Sequence, residues 1–143
     1  MPLPRTLPEL RQFATRVNAT KYAHIPAAAI PKPTFNDTTA NGLTNAIIYD
    51  LVHVWGGAAY RINNGATYDG KKGVYRAGVT RRGIPDIIGV VGGRFIGIEV
   101  KIGTDRQSAH QREVENEITQ AGGFYFIAKT YTDYAGKIAA ALG

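Results

Sequence analysis

The stretch from residue 84 to residue 101, IPDIIGVVGGRFIGIEVK, constrains the fold most strongly, because a Gly92-Gly93 pair separates two apolar runs. Two glycines in such a position are typical of a two-residue hairpin turn, since primed turns need positive φ angles that glycine adopts without steric cost. A register that closes directly on this turn places Asp86 opposite Glu99. The sequence therefore predicts two acidic side chains facing each other across two antiparallel strands.

The second strand of this hairpin has two different faces. Successive side chains alternate, so Glu99 and Lys101 share one face with Phe95 and Gly97. Glycine inside a strand weakens it and often marks a close approach of a ligand, which is how we interpret Gly97. The other face is apolar and consists of Ile96, Ile98, Val100 and Ile102. We expect the apolar face to pack in the core and the face with Glu99 and Lys101 to hold the reactive groups.

The opposed acids indicate a cation site. Like charges directly across a ladder destabilise a sheet, because their Cβ atoms lie only about 5 Å apart. Hard divalent cations such as Mg²⁺ prefer oxygen ligands and are often held by one or two carboxylates with phosphate and water. Lys101 would then contact a phosphate or help to orient and deprotonate a water. Asp86, Glu99 and Lys101 together predict a phosphodiester-cleaving site; the alternative is a solvated Glu-Lys pair of little energetic value.

Composition favours a polyanionic partner. The 143 residues fit one domain, and the formal net charge of +6 makes nucleic acid the leading candidate. The absence of cysteine excludes disulfides and thiolate metal sites and permits an intracellular setting. No segment approaches the roughly 20 apolar residues of a membrane span, and the first residues lack a signal-peptide pattern. We expect a soluble, cytoplasmic protein that does not interact with membranes.

Patterning along the chain predicts two regions. Residues 1–38 form an N-terminal arm, with a short helix at 8–18 and a proline-rich linker or strap at 24–37. Residues 39–143 form the main domain, which begins with a helix whose apolar stripe ends before Gly56-Gly57. The following elements are a strand at 58–64, a loop or irregular hairpin at 66–83, the Gly-Gly hairpin, a helix at 105–121, a strand at 124–128 and a helix at 131–142.

The order of these elements predicts the sheet. The helix between the third and fourth strands permits a parallel crossover, which gives a mixed sheet flanked by helices. Gln111 lies on the inward stripe of that helix, as does Gln107. The Gln111 amide is either a boundary group that caps the end of the core or a polar group aimed at a metal-bound water or the scissile phosphate.

The motifs at these positions resemble those of the PD-(D/E)XK nuclease superfamily, and specifically its VRR-NUC branch. Pro85-Asp86 matches the PD element, Glu99-Val100-Lys101 the ExK element, and Gln111 the glutamine of the next helix. The runs RINNG at 61–65, GIPDIIGV at 83–90 and GG at 122–123 also look like this branch. The resemblance covers about residues 41–128 and implies an α/β, restriction-endonuclease-like core of order αβββαβ.

The resemblance also implies an activity and its residues. It implies a Mg²⁺- or Mn²⁺-dependent DNA endonuclease with catalytic Asp86, Glu99, Lys101 and Gln111, and with metal held by Asp86, Glu99, Val100 and Asn41. The branch usually has a glutamate early in the first core helix, where this chain has Asn41 or Asn45, with Asp50 as another possible substitute. The expected DNA-binding residues are Arg61, Asn63, Lys71, Lys72, Arg76, Arg81 and Arg82; alternatively, the basic loop residues among them are merely solvated.

Short members of this branch imply a setting and a substrate. They look like phage or mobile-element enzymes that act as homodimers on branched DNA such as four-way junctions, here in the host cytoplasm. Trp55 and the Tyr131/Tyr134 pair are candidate dimer contacts; alternatively, they pack in the core. Two other functions stay open: a non-cleaving module that binds DNA structure, and a sequence-specific, restriction-type endonuclease.

Overall fold

The computed structural model describes residues 2–62, 67–76 and 81–143. Its helices are α1, α2, α3 and α4, and its strands are β1 to β6 in chain order. The helices span Leu7–Lys21, Ala40–Tyr49, Ala109–Gln120 and Tyr131–Leu142. The strands span Ala58–Arg61, Thr67–Asp69, Val74–Arg76, Ile87–Val91, Arg94–Val100 and Phe124–Ala128. A single 3-10 turn at Ala27–Ala29 follows α1, and a π-helical turn at Asp50–Val54 extends α2.

Four of the strands form one mixed sheet in the order β1-β4-β5-β6. The β1-β4 and β4-β5 pairs are antiparallel, and β5 pairs with β6 in parallel through the crossover helix α3. Strands β2 and β3 form a separate antiparallel ribbon. Of the two alternatives expected here, a loop or an irregular hairpin, the described residues form the hairpin. The predicted class, an α/β fold with a mixed sheet flanked by helices, is confirmed.

The Gly-Gly hairpin has the predicted register. Gly92 and Gly93 adopt φ angles of 57° and 80°, as a primed turn requires. The β4-β5 ladder begins at the pair Val91 and Arg94 and continues to Ile87 opposite Ile98. Asp86 and Glu99 occupy the next position of this register, just beyond the last ladder pair.

The two faces of the sheet are covered by different helices. The apolar side chains of β4 and β5 pack with α2 and α4 in one buried cluster, which contains Ile47, Ile87, Ile98 and Ile138. On the other face, Ile118 of α3 approaches Gly97 and Gly123. Since side chains alternate along β5, Glu99 and Lys101 point away from the main core and toward the α3 side.

Two predicted helix boundaries differ from the structure. The crossover helix begins at Ala109 and not near Asp105, because Ser108 is its N-cap and forms a reciprocal capping box with Gln111. Helix α1 begins one residue earlier than predicted and ends three residues later, at Lys21. Thr6 and Glu9 form the capping box at its start. In both cases the reciprocal cap determines where the helix begins.

The N-terminal arm packs on the rest of the molecule. Leu10 of α1 is fully buried in the main core cluster together with Leu43 of α2. The Arg11 guanidinium donates to the Phe35 carbonyl, with Nε at 3.1 Å, which ties the proline-rich segment to α1. The division into residues 1–38 and 39–143 stays a prediction. In the described part of the chain, no helix combines the length and apolar character needed to span a bilayer.

Candidate metal-binding active site

Asp86 is held from both sides of the sheet end. It lies between the buried Pro85 and the first residue of β4, where its backbone carbonyl accepts a hydrogen bond from Ile62 N at 2.8 Å. Its carboxylate Oδ2 accepts from Val100 N at 2.9 Å. The first bond, from the residue after β1, fixes the Asp86 main chain, and the second, from β5, orients its carboxylate.

Glu99 presents a buried carboxylate oxygen without a partner. The residue is only 5% exposed, and its Oε2 atom makes no hydrogen bond to any described residue. Burial, followed by the negative charge of Asp86, raises the pKa of Glu99 to about 8, and the nearby Lys101 opposes this shift. The Lys101 Nζ atom lies 3.9 Å from Glu99 Oε1. A buried carboxyl group whose pKa is raised further by a second carboxylate indicates a site where a positive charge would be stabilising.

The donor set fits a hard divalent cation. An unpartnered, buried carboxylate oxygen is costly, and coordination by a cation would remove that cost and neutralise the repulsion from Asp86. The described residues contain no group of three or more His, Cys, Asp or Glu side chains suited to a metal. A cation at Asp86 and Glu99 would therefore complete its coordination with water, backbone or phosphate oxygens, as Mg²⁺ commonly does.

The Val100 backbone, which follows Glu99 in the chain, is hydrogen-bonded to Asp86. Its amide is the donor to Asp86, and its side chain is buried on the opposite, apolar face. The adjacent Lys101 amide donates to the Ala128 carbonyl of β6 at 3.0 Å. The main chain at residues 99–101 is thereby fixed between Asp86 and β6, which positions both Glu99 and Lys101.

The helix asparagines have a different partner from the one expected. Arg61 donates from Nη1 to Asn41 Oδ1 at 2.6 Å and from Nη2 to Asn45 Oδ1 at 2.8 Å. The Asn41 oxygen that would serve a metal accepts a hydrogen bond from this guanidinium instead.

Asp50, the other candidate ligand from this region, is used by contacts inside the core. It is 1% exposed and accepts hydrogen bonds from the hydroxyls of Tyr131 at 2.8 Å and Tyr134 at 2.6 Å. Burial raises the pKa of Asp50, and these hydrogen bonds lower it. The same contacts place both tyrosines in the core at 0% exposure, so they do not provide a dimer surface.

Gln111 is used at the start of its helix. Its side-chain Oε1 atom accepts from Ser108 N at 2.8 Å, and its backbone N–H donates to Ser108 Oγ at 3.2 Å. The side-chain oxygen thus satisfies the helix terminus. The neighbouring Gln107 donates to Glu115 Oε1 at 3.2 Å.

The predicted DNA-binding residues have several environments. Arg81 forms a two-point ion pair with Glu117 at 2.7 and 2.8 Å and approaches Glu113 at 3.3 Å, so its charge is directed to α3. Arg61 binds the two asparagines. Lys71, Lys72 and Arg82 are exposed. Arg76 lies in β3, and Asn63 lies outside the described residues.

Tyr125 is a site residue that the sequence did not reveal. It pairs with Gly97 in the parallel register, so its side chain shares the face of Glu99. Its hydroxyl is buried and makes no hydrogen bond to a described residue. Burial raises its pKa strongly, and the charge of Glu99 adds to this. Only the β5-β6 register, which the sequence pattern did not provide, places Tyr125 near the acids.

Comparisons with known proteins find similarity among solved structures. No family model matches the chain, and no curated protein matches it. The chain is similar to a solved structure described as "VRR_NUC domain", with 18% identity and a TM-score of 0.49. The match covers 73% of this chain and 99% of that one. Its description names the same family that the motifs resemble.

Proposed function

We propose that this protein is a divalent-metal-dependent endonuclease that hydrolyses phosphodiester bonds in DNA. The observation that carries the proposal is the buried, unpartnered Glu99 carboxylate oxygen beside Asp86, with the Lys101 ammonium 3.9 Å from the other Glu99 oxygen. This combination offers oxygen ligands for a cation and an adjacent positive group for a phosphate. The net charge of +6 is in line with a polyanionic substrate.

In the proposed mechanism, Asp86 and Glu99 would hold Mg²⁺ or Mn²⁺, with the Val100 backbone as a further candidate ligand. When bound, the cation would supply Lewis-acid stabilisation of the negative charge that develops on the phosphate. Lys101 donates a hydrogen bond to a phosphate oxygen or to the attacking water, which orients them. Attack forms one bond from water oxygen to phosphorus and breaks one bond from phosphorus to the leaving sugar oxygen; the water gives up one proton to solvent, and the leaving oxygen takes up one from solvent. The side-chain oxygen of Gln111 caps α3, so only the side-chain NH₂ group of this residue is left to contact the substrate.

We further propose that the substrate is branched DNA, such as a four-way junction, and that the enzyme acts as a homodimer. The support is the motif resemblance stated above, together with the symmetry argument that two sites related by a two-fold axis would cut two strands in equivalent positions. Lys71, Lys72 and Arg82 are exposed cationic residues that suit contact with the DNA backbone.

The test is cleavage of labelled DNA. Wild-type protein is incubated with duplex, flap and four-way junction substrates in Mg²⁺ or Mn²⁺, and we expect cutting that stops in EDTA. Asp86→Asn and Lys101→Ala should lower the rate by at least about 10²-fold, the lower range for loss of one group that stabilises developing charge. Both variants should still bind the substrate. Folded wild-type protein that cuts none of these substrates would overturn the proposal.

A second candidate, a DNA-binding module that does not hydrolyse its target, is favoured by one observation. Asn41 and Asn45 hold Arg61 and bring no charge, so the described residues supply only two carboxylates to the site. The same incubation separates the two functions. A binding module would retain the junction at every metal concentration and release no cut product.

A further inference from the structure

Arg61 is held in a fixed orientation at the end of the edge strand β1. Its two terminal nitrogens bind the side-chain oxygens of Asn41 and Asn45, which lie one turn apart on α2. All three residues are exposed. A guanidinium has five N–H donors, so these two bonds leave donors for a further acceptor. The asparagines therefore orient a cation at the surface without neutralising its charge.

The two asparagines also line a groove between the N-terminal arm and α2. The groove has a volume of about 410 Å³. Its polar lining comes from the arm and from the start of α2, and includes Lys32, Thr34, Asn36, Thr39, Asn41 and Asn45. No acidic side chain is among the described residues that line it. The neighbouring Asp37 instead accepts a hydrogen bond from Tyr131 N at 2.9 Å, on the α4 side. The groove is thus polar and carries only positive charge.

The groove lies at the same end of the sheet as the acidic site. Arg61 pairs with Ile87, the residue after Asp86, and the amide that directly follows β1, Ile62 N, donates to the Asp86 carbonyl. Because paired residues share a face, Arg61 lies on the α2 side of the sheet, whereas Glu99 faces α3. The groove and the carboxylates therefore lie near the same end of the sheet, on its two faces.

We infer that the groove binds a backbone phosphate of the DNA substrate, with Arg61 as the oriented donor and Lys32 as a second cation. The inference rests on the proposed function and adds to it a binding role for the N-terminal arm, which lies outside the region of motif resemblance. A planar guanidinium matches phosphate oxygens in a two-point geometry that lysine cannot reproduce. The contact would position the strand and would not read its sequence.

The test measures binding without cleavage. Fluorescence anisotropy in EDTA gives the Kd of a labelled four-way junction and of a duplex for wild type, Arg61→Gln, Arg61→Lys and Lys32→Gln. The control is Arg16→Gln, which removes the same charge from an exposed position on α1. We expect Arg61→Gln to raise Kd about tenfold and to reduce the slope of log K against log salt by about one. Arg61→Lys should recover part of the affinity, Lys32→Gln should weaken binding to a smaller extent, and Arg16→Gln should leave Kd and slope near the wild-type values.

Two results would overturn the inference. One is an Arg61→Gln protein with wild-type Kd and salt slope. The other is weaker binding that comes with a lower Tm and an unchanged salt slope, since that pattern means that Arg61 only secures β1 to α2. The outcome is separable from the proposed nuclease. Cutting by wild type with no effect of Arg61 on binding removes the inference alone, whereas Arg61-dependent binding without cutting in Mg²⁺ or Mn²⁺ removes the nuclease alone.

Discussion

At the scale of single residues, Glu99 combines burial with the repulsion of a second carboxylate. Its pKa is raised to about 8, first by burial and then by Asp86. In the unfolded chain the group titrates near its ordinary value of 4.5. Between these two values the folded protein binds more protons than the unfolded chain, so its stability falls as the pH rises. Without a cation, the ionised site is a source of instability.

Glu99→Gln should remove this pH dependence. In EDTA, we expect wild-type Tm to fall between about pH 4.5 and pH 8, and the Tm of the variant to fall less over the same window. The difference should be largest above pH 8, where the wild-type carboxylate is ionised. Thermal unfolding followed by circular dichroism at several pH values measures it. Equal Tm curves for the two proteins would mean that Glu99 has an ordinary pKa.

Gly97 has a packing role that differs from our interpretation of the sequence. A Cβ atom at this position would lie 2.7 Å from Pro85 Cγ and 3.4 Å from Ile118 Cδ1. The glycine therefore makes room for Pro85, the residue that precedes Asp86, and does not mark an approach of a ligand to the backbone. A strand pattern reveals the glycine, but only the tertiary fold reveals what lies above it.

Gly97→Ala should destabilise the protein by about 1–3 kcal/mol, the usual cost of forcing extra volume into a packed site. The displaced Pro85 should also shift Asp86 and lower cleavage. Gly136→Ala is the matched control, because a Cβ there meets nothing within 4 Å and alanine favours the helix. Urea unfolding compares the two variants. A Gly97→Ala protein as stable as Gly136→Ala would contradict the packing argument.

At the scale of elements, Asp50 joins α2 to α4. Its two carboxylate oxygens each accept one tyrosine hydroxyl, and the Tyr131 hydroxyl also lies 3.3 Å from the Pro4 carbonyl of the arm. A buried acid without such partners would be strongly unfavourable. The π-helical turn that begins at Asp50 lies where this residue meets α4.

Tyr134→Phe should lower the free energy of unfolding by about 1–3 kcal/mol, since it leaves one oxygen of a buried carboxylate without its hydrogen bond. Tyr60→Phe provides the control, because Tyr60 is 63% exposed. Urea unfolding of both variants measures the difference. If Tyr134→Phe were as stable as wild type, the Asp50 contact would not contribute to the docking of α4.

The elements differ in how far the sequence determines them. The register of β4 and β5 follows from Gly92-Gly93 alone, because a two-residue turn fixes which residues pair. The partners of Asp50 and Arg61 lie 81, 84, 20 and 16 residues away. Such contacts depend on how helices pack on the sheet, and hydrophobic periodicity gives no information on them. The start of α3 is not determined by the local sequence, since Thr104, Asp105 and Ser108 are all residue types that cap helices.

At the scale of the whole molecule, the fold brings three separate groups of residues to one end of a mixed sheet. The hairpin provides the acidic pair and Lys101, β1 with α2 provides Arg61 and its asparagines, and the arm provides Lys32. Of these, the sequence predicted the hairpin set directly. The groove could not be predicted, because it forms only when the proline-rich segment packs beside α2.

The net charge of +6 leads to a prediction for the whole molecule. Binding of duplex or junction DNA in EDTA should weaken at least about tenfold between about 50 and 200 mM salt, because neutralised phosphates release counterions. The log-log slope from anisotropy titrations gives the number of phosphates contacted. Binding that does not change over this range would mean that contacts other than cation-phosphate pairs dominate the interface.

Cation binding by the Asp86-Glu99 pair is the property on which the proposed active site depends. Isothermal titration of Mn²⁺ into the folded protein should show a site in wild type that is lost in Glu99→Gln and in Asp86→Asn and retained in Arg61→Gln. Wild-type Tm should rise with added Mn²⁺, and that of Glu99→Gln should not. Folded wild-type protein that binds no Mn²⁺, or a Glu99→Gln protein that binds it as tightly as wild type, would contradict the assignment of this site.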